Sequence, residues 1–376
     1  MKQSGPPALR FLVDALDKLD QDGLLRAQAA PRCGTDLSFC SNDYLALATE
    51  RVPGEDADTG AGASRLVSGD RQEHHALEAA AADLASRDSA LAFSSGYAAN
   101  VGTLSALAGP TDLIVSDALN HASLIDGARL SRARIVVVPH LNSGAVRRAL
   151  QEPRASGARA WVVTESYFSM DADSPNLAEL RSICDAAEAA LVVDEAHAFG
   201  VLGPGGRGLC VADNVAPDVV TGTFGKAFGA GGAFVAGCAN LTSWLWNAAR
   251  PFVFSTGLSP SVAAAATAAL KVATSSPELR TRALRNAAQF RAGLQRLGID
   301  PLGYGHIVPC VVGTPARAVR ISRELSARGV HVQAIRPPSV PPGTARLRFT
   351  LTARHTSEDV ARALAAVEEV WACDRG

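Results

Sequence analysis

The sequence predicts an α/β protein, with a large domain on a mostly parallel central sheet and a smaller C-terminal α+β domain. Three observations predict it. From about residue 73 short β-branched runs alternate with helical segments, the pattern of a parallel sheet covered on both faces. Beyond the Ala-rich run 261–273 that alternation gives way to long helices separated by isolated apolar runs. The length, 376 residues, suits one large unit with a companion. The boundaries are drawn at 1–45 for an N-terminal segment, 46–272 for the large domain and 273–376 for the small one.

Each element has its own signal. Leu9, Leu12, Val13, Leu16 and Leu19 have helical spacing. A strand-like Leu37-Ser38-Phe39-Cys40 runs into the turn Ser41-Asn42-Asp43. Residues 74–85 read as helix. Strand-like runs follow at 112–115, 135–138, 161–164, 191–194, 219–220 and 233–235, with helical segments such as 177–189 between them. In the C-terminal part come a helix at 278–297, apolar runs at 306–312 and 346–351, a segment at 317–328, and a last helix through Val367. No internal repeat or low-complexity linker interrupts them. In an open α/β sheet the ligand binds at the carboxyl ends of the strands.

Composition excludes several classes. A hydrophobic fraction of 47% supports a large core, and a net charge of −1 leaves no basic footprint for nucleic acid or anionic lipid. The seven cysteines are Cys33, Cys40, Cys184, Cys210, Cys238, Cys310 and Cys373. An odd number with no Cys-x-x-Cys argues against a disulfide framework or a structural zinc, and for a reducing cytoplasm. No apolar stretch reaches the ~18 residues of a membrane span. The start, with Pro6, Pro7 and an amphipathic run, lacks the apolar core of a signal peptide.

Lys226 is one of four lysines against 32 arginines. It lies in Thr223-Phe224-Gly225-Lys226-Ala227-Phe228-Gly229. A lysine can lose its proton and condense with a carbonyl; an arginine cannot. The plainer alternative is a surface lysine in a Gly-rich loop.

Val192-Val193-Asp194-Glu195-Ala196-His197 is an apolar strand ending in acidic residues. It could be a solvated strand end, the magnesium site of a nucleotidase, or a carboxylate paired with the pyridine nitrogen of pyridoxal phosphate (PLP). A nucleotidase needs Gly-x-x-x-x-Gly-Lys-Ser/Thr. Around Lys226 the first glycine falls on Val220, the Ser/Thr position is Ala227, and the loop follows the acidic strand instead of preceding it. Gly60-Ala61-Gly62 is no dinucleotide fingerprint, because the third glycine and a preceding strand are missing. PLP chemistry needs a lysine, a carboxylate that keeps the ring protonated, a phosphate site at a helix N-terminus and a flat group over the ring. Lys226, Asp194, Ser94-Ser95-Gly96-Tyr97 and His121 fill these places in order. His121 as a loop histidine and Ser95-Gly96 as an ordinary helix cap are the plain alternatives.

Together these residues resemble the fold-type I PLP enzymes, and more narrowly the α-oxoamine synthases. The resemblance runs over nearly the whole chain. It is carried by Ser41-Asn42-Asp43-Tyr44-Leu45, Ser64-Arg65-Leu66-Val67-Ser68-Gly69, His74-His75-Ala76-Leu77-Glu78 and Ser94-Ser95-Gly96-Tyr97-Ala98-Ala99-Asn100. It continues in Asn120-His121-Ala122-Ser123, Glu165-Ser166-Tyr167-Phe168-Ser169-Met170-Asp171, Asp194-Glu195-Ala196-His197 and Thr223-Phe224-Gly225-Lys226. Ile335-Arg336-Pro337-Pro338-Ser339-Val340-Pro341 and Gly343-Thr344-Ala345-Arg346-Leu347-Arg348 are similar to the members that condense L-alanine with a pimeloyl thioester in biotin synthesis. Glycine-using members of the family are the alternative.

The resemblance implies roles. Lys226 would hold PLP covalently and move protons at the substrate α-carbon. Asp194 would pair with the pyridinium, His121 would stack on the ring and polarise the ketone, and His197 and Ser169 would lie near the ring hydroxyl. Ser95, Gly96, Tyr97 and Thr223 would serve the phosphate. Ser255 and Thr256 would act across the interface of a homodimer with shared sites. Arg348 would hold the amino-acid carboxylate, Asn42 and Glu165 would line the site, and Arg26 and Arg336 would assist the acyl substrate. Arg346 and Arg348 alternate on one strand, so a solvated pair is the plainer alternative. The chain departs from the family text at Ala46, where glycine is usual, at Glu195 and Ala198-Phe199, and in a shorter stretch at 48–59.

Overall fold

The computed structural model describes residues 6–26, 37–49 and 57–375. Cys33 and residues 50–56 of the shortened stretch lie outside the described residues. The strands are β1 (Leu37–Ser38), β2 (Ser89–Phe93), β3 (Leu113–Asp117), β4 (Arg134–Val138), β5 (Ala160–Glu165) and β6 (Ala190–Asp194). They continue as β7 (Val219–Thr223), β8 (Ala233–Gly237), β9 (Ile307–Gly313), β10 (Val330–His331), β11 (Gln333–Ile335) and β12 (Ala345–Thr350).

Seven strands form the central sheet in the order β2-β8-β7-β6-β5-β3-β4. The pairs from β4 through β3, β5 and β6 to β7 are parallel; β8 runs antiparallel to β7 and β2. Every residue of β3, β5 and β7 is buried, as expected for strands covered on both faces. On one face helices Gln72–Ala85 and Pro260–Ser275 bring Leu77, Ala81 and Ala266 into the cluster containing Phe234. On the other, Leu104 and Leu124 pack with Phe93 and Ile114. The β-branched runs located the parallel-paired strands of the central sheet from β4 to β7. They missed β2, because Ser89-Ala90-Leu91-Ala92-Phe93 carries no β-branched residue. Its place comes from full pairing with β8, Ser89 opposite Gly237 through Phe93 opposite Ala233.

The C-terminal part is built on the antiparallel sheet β11-β12-β9. Helices Pro277–Arg296, Pro315–Ala327 and Ser357–Arg375 enclose a second core with Phe290, Ile321, Phe349 and Val367. The last helix passes the expected end at Val367, because Val370 and Trp371 are also buried in that core. Two segments straddle the boundaries drawn from the sequence. Helix Pro260–Ser275 runs across residue 272. β1 pairs parallel with β10, and Phe39 stacks on Phe290 in the second core. A few residues later Tyr44 and Leu45 enter the core of the large unit, so the chain at 37–47 ties the two cores together.

Candidate active site

Parallel strands end on one edge, and that edge carries the chemistry. Register sets Glu165 at the end of β5 beside Asp194 at the end of β6, and Asp194 beside Thr221 of β7. His121 follows β3 and caps helix Ala122–Ser131. Ser95 follows β2 and caps helix Gly96–Leu107, its Oγ accepting from the Ala98 amide at 3.1 Å. That is the sequence-expected helix start, with free amides toward the edge. Gly96 lies against Thr223: a Cβ at Gly96 would stand 3.9 Å from the Thr223 Cβ.

Asp194 is oriented by Asn100 Nδ2 at 2.7 Å and the Ala196 amide at 2.8 Å. Asn100 also donates to Ser123 Oγ at 2.9 Å. Two bonds use half of the roughly four acceptor positions of a carboxylate, so Asp194 can still accept from a ring N–H. Glu195 faces elsewhere, accepting from the Leu209 and Cys210 amides at 2.7 and 3.1 Å. Burial pushes its carboxyl up to about 7. The two neighbouring acids therefore do not form the paired carboxylate of a magnesium site.

Lys226 Nζ lies 2.7 Å from His197 Nε2, and His197 Nδ1 lies 2.6 Å from the Tyr44 hydroxyl. Arg348 is buried on β12. Its Nε donates to the Ser169 carbonyl at 2.7 Å and both terminal nitrogens approach Asn42 Oδ1 at 3.2 Å. Arg346 is buried too, bound to Asp171 and the Met170 carbonyl at 2.8 Å. Neither arginine is solvated, so the plain strand-face alternative fails.

Burial pushes the Lys226 amine down to about 8, with Arg348 assisting against the opposite pull of Asp194 and Glu165. Burial, with Asp194 nearby, pushes Glu165 up to about 8; its Oε1 accepts from the His121 amide at 2.7 Å. Burial lowers His121 as well. A cavity of about 560 Å³ runs from His121 and Glu165 past Phe168, Ser169 and Met170 to the 337–342 turn.

Of the expected residues, Asn42, His121, Glu165, Ser169, Asp194, His197, Lys226 and Arg348 share this edge through the contacts given. Ser95, Gly96 and Thr223 form its other end. Tyr97 is half exposed and donates to Asp126 at 2.5 Å. Ser255 and Thr256 are exposed in a small cleft with Ser94 and Arg65. Arg336 donates to the Gly23 carbonyl at 2.5 Å, with the exposed Arg26 close enough to disfavour its charge; neither bonds to the Lys226 group. Two residues escaped the sequence reading of the site. Asn100 and Tyr44 both stood inside quoted motifs, but only the fold turns them toward Asp194 and His197. Ala46, the departure from glycine, has φ 62°, the left-handed region that glycine occupies without strain.

A lysine with a lowered pKa, a buried aspartate and a capped helix start at the carboxyl edge of this sheet define a fold-type I PLP transferase. The family model described as aminotransferase class I and II matches residues 35–367. The chain belongs to that family, within its α-oxoamine synthase branch. An 8-amino-7-oxononanoate synthase from Anaeromyxobacter dehalogenans (strain 2CP-1) is 46% identical, covering 96% of this chain and 96% of its own. One from Geobacter sulfurreducens is 47% identical, covering 88% of each. Among solved structures, a serine palmitoyltransferase from S. paucimobilis with bound PLP-myriocin aldimine superimposes with TM-score 0.89 at 28% identity, covering 97% of this chain and 98% of that one. An 8-amino-7-oxononanoate synthase from Francisella tularensis gives TM-score 0.77 at 26% identity, covering 92% and 100%.

Proposed function

We propose that this protein condenses L-alanine with the pimeloyl thioester of coenzyme A or of a carrier protein, releasing carbon dioxide and the carrier thiol and forming 8-amino-7-oxononanoate for biotin. The observation that carries this reading is the grouping of Lys226, His197 and Arg348 in a chain matched almost end to end by relatives named for that product. Bound PLP supplies an aldehyde for amines to condense with and a ring that accepts electrons. Lys226 would hold it, Asp194 its ring nitrogen, and Ser95, Gly96, Tyr97 and Thr223 its phosphate, with His121 over the ring and His197 and Ser169 at the ring hydroxyl.

The chain's own residues do the rest. Arg348 grips the amino-acid carboxylate with two parallel hydrogen bonds, which orients the Cα–H toward Lys226. Lys226 removes that proton and later returns one. Burial brings its pKa down to about 8, so far more of the amine is free near neutral pH than in an ordinary lysine. Once the new carbon–carbon bond leaves a ketone β to the carboxylate, His121 polarises it and Arg348 releases the carboxylate as carbon dioxide. The apolar walls of the cavity, including Phe168 and Met170, suit an acyl chain. Arg336, next to Pro337 of the cavity lining, and Arg26 would supply cations for the acyl substrate.

The test is turnover of L-alanine with pimeloyl-CoA, with glycine and shorter acyl-CoAs as controls. The expected product is the amino ketone; preference for glycine and acetyl-CoA would overturn the reading. The homodimer is tested separately. Lys226→Ala and the double variant Ser255→Ala, Thr256→Ala should each be inactive. Mixed, they should regain activity, since one site of a mixed dimer keeps its lysine and both hydroxyls of the partner subunit. No recovery from subunits shown to exchange would remove the shared site.

A further inference from the structure

We propose that Arg346 is a positioning residue that sets the length of acyl chain the cavity accepts, because it ties the loop wall of that cavity to its turn wall. The inference rests on the acyl condensation proposed above.

The cavity runs from His121 and Glu165 to the 337–342 turn. An acyl chain with its thioester at the first end lies between two walls. One is Phe168, Ser169, Met170 and Asp171 of the large unit; the other is the turn, which joins β11 to β12 of the small unit. The loop wall is fixed from behind. The Phe168 amide donates to the Asp173 carbonyl at 2.9 Å and the Ala172 amide to the Phe168 carbonyl at 2.8 Å, which closes the loop on itself. His140 holds the Asp173 carboxylate, and the Tyr304 amide donates to the Ala172 carbonyl at 2.8 Å. The turn wall has fewer donors of its own, since Pro337, Pro338, Pro341 and Pro342 bring no N–H. Thr344 ties its far end: amide and hydroxyl both donate to the Pro341 carbonyl, at 3.2 and 2.7 Å.

Arg346 reaches both walls. On one side its Nη1 donates to the Met170 carbonyl and to Asp171 Oδ1, each at 2.8 Å. On the other, Nε donates to the Thr344 carbonyl at 3.1 Å and Nη2 to the Thr344 hydroxyl at 3.2 Å. Four of the five N–H donors of the guanidinium are thus in use. The residue is buried, so water competes little for these bonds. A planar fork fixes angle as well as distance, and one rigid group therefore sets how far the turn stands from the loop. An apolar site counts methylenes only as sharply as its far wall is fixed. A wall that yields is pushed back by a longer chain and follows a shorter one. Against a fixed wall, one methylene too many or too few costs roughly 10–200-fold in kcat/KM.

The test compares pimeloyl-CoA with adipoyl-CoA, one methylene shorter, and suberoyl-CoA, one longer, each with L-alanine and the holoenzyme. The wild type should favour pimeloyl-CoA over both by roughly tenfold or more in kcat/KM. The double variant Arg346→Met, Asp171→Asn cuts the tie without leaving a buried charge unpaired. Its preference should fall to roughly twofold, while the alanine KM stays near its original value because Arg348 keeps its own partners. Thr344→Val, which removes only the hydroxyl link, should lower the preference by a smaller factor and serves if the double variant does not fold. Arg346→Lys keeps a cation for Asp171 but has no fork, so it should recover only part of the preference. A ratio between two donors does not depend on how much of the enzyme is folded, so lost stability alone cannot move it. Calorimetry of the three thioesters with the holoenzyme, without alanine so that no condensation takes place, should give the same order of affinities and the same levelling in the variants. Equal preferences in wild type, double variant and Thr344→Val, or a wild type that takes all three donors alike, would overturn the proposal. No turnover of any pimeloyl thioester by the wild type would instead overturn the condensation on which it rests.

Discussion

His140 lies beyond the end of β4 and His197 beyond the end of β6, on the same edge of the sheet, and one ends as a cation and the other neutral. His140 has Asp117 at 2.8 Å on one nitrogen and Asp173 at 3.2 Å on the other. Burial opposes its charge, but the bonds to the two carboxylates outweigh that and push its pKa up to about 10. His197 meets a lysine, an arginine and a phenol, and burial and the cations push it well below the ordinary value. The difference teaches that neighbouring groups decide whether the penalty of burial is overcome: two carboxylates together outweigh it at His140, and cations add to it at His197. The cation is a clamp. Through Asp173, and its own edge-on contact with Phe168 at 4.5 Å, it fixes the loop whose Ser169 carbonyl holds Arg348. The neutral ring lies between the Lys226 amine and the Tyr44 hydroxyl.

The largest effect should come from breaking the neutral side. Lys226→Arg keeps a cation beside His197 but cannot condense with an aldehyde. Turnover should fall by roughly 10²–10⁴ or more, and the visible absorbance of the lysine–cofactor link should vanish; wild-type absorbance would remove Lys226 from the mechanism. Next, Asp194→Asn leaves Asn100 and the Ala196 amide facing a neutral amide. Hydrogen–deuterium exchange at the α-carbon of alanine should slow roughly 10²-fold, with cofactor still bound. Exchange at the normal rate contradicts the pyridinium role.

Arg348→Ala takes away one of the cations that keep His197 neutral, together with the clamp. Alanine affinity should drop roughly 30-fold or more, while Arg348→Lys regains part of it. Titration of the cofactor absorbance with alanine reads this, and an unchanged affinity means the carboxylate is held elsewhere.

The smallest effect should come from the cationic side. His140→Asn leaves Asp117 and Asp173 facing a neutral group and should cost roughly 1–3 kcal/mol of stability, with the Lys226 titration nearly unmoved. The folded pKa of His140, about 10, lies above the unfolded value near ~6.5. Its stabilisation is therefore complete below about pH 6.5 and disappears as pH rises through about 10. Urea midpoints of wild type and variant should converge over that range; a constant gap would mean His140 is not a charged clamp.

Much of this site was legible in the sequence. Alternating strand and helix patterns set Asp194 at the end of one parallel strand and Glu165 just past another. Lys226 stood out among the arginines because only a lysine can condense with a carbonyl. What stayed hidden follows from contacts between distant residues. β2 has no β-branched signature and exists through its pairing with β8. His140 reads as a loop histidine until the fold brings Asp117 and Asp173 to it. Tyr44, inside a quoted motif, becomes part of the site only when β6 delivers His197 to its hydroxyl.

The sequence by itself determined the fold class, the cofactor chemistry and the residues able to perform it, because those depend on periodicity and on functional groups that few side chains possess. Only the tertiary structure decided the charge each group carries, the direction in which each hydrogen bond can run, and whether Arg346 and Arg348 face water or the interior. Those depend on burial and on neighbours within a few ångströms, and residues far apart in the chain, such as Tyr44 and His197 or Asn42 and Arg348, become neighbours only when the chain folds.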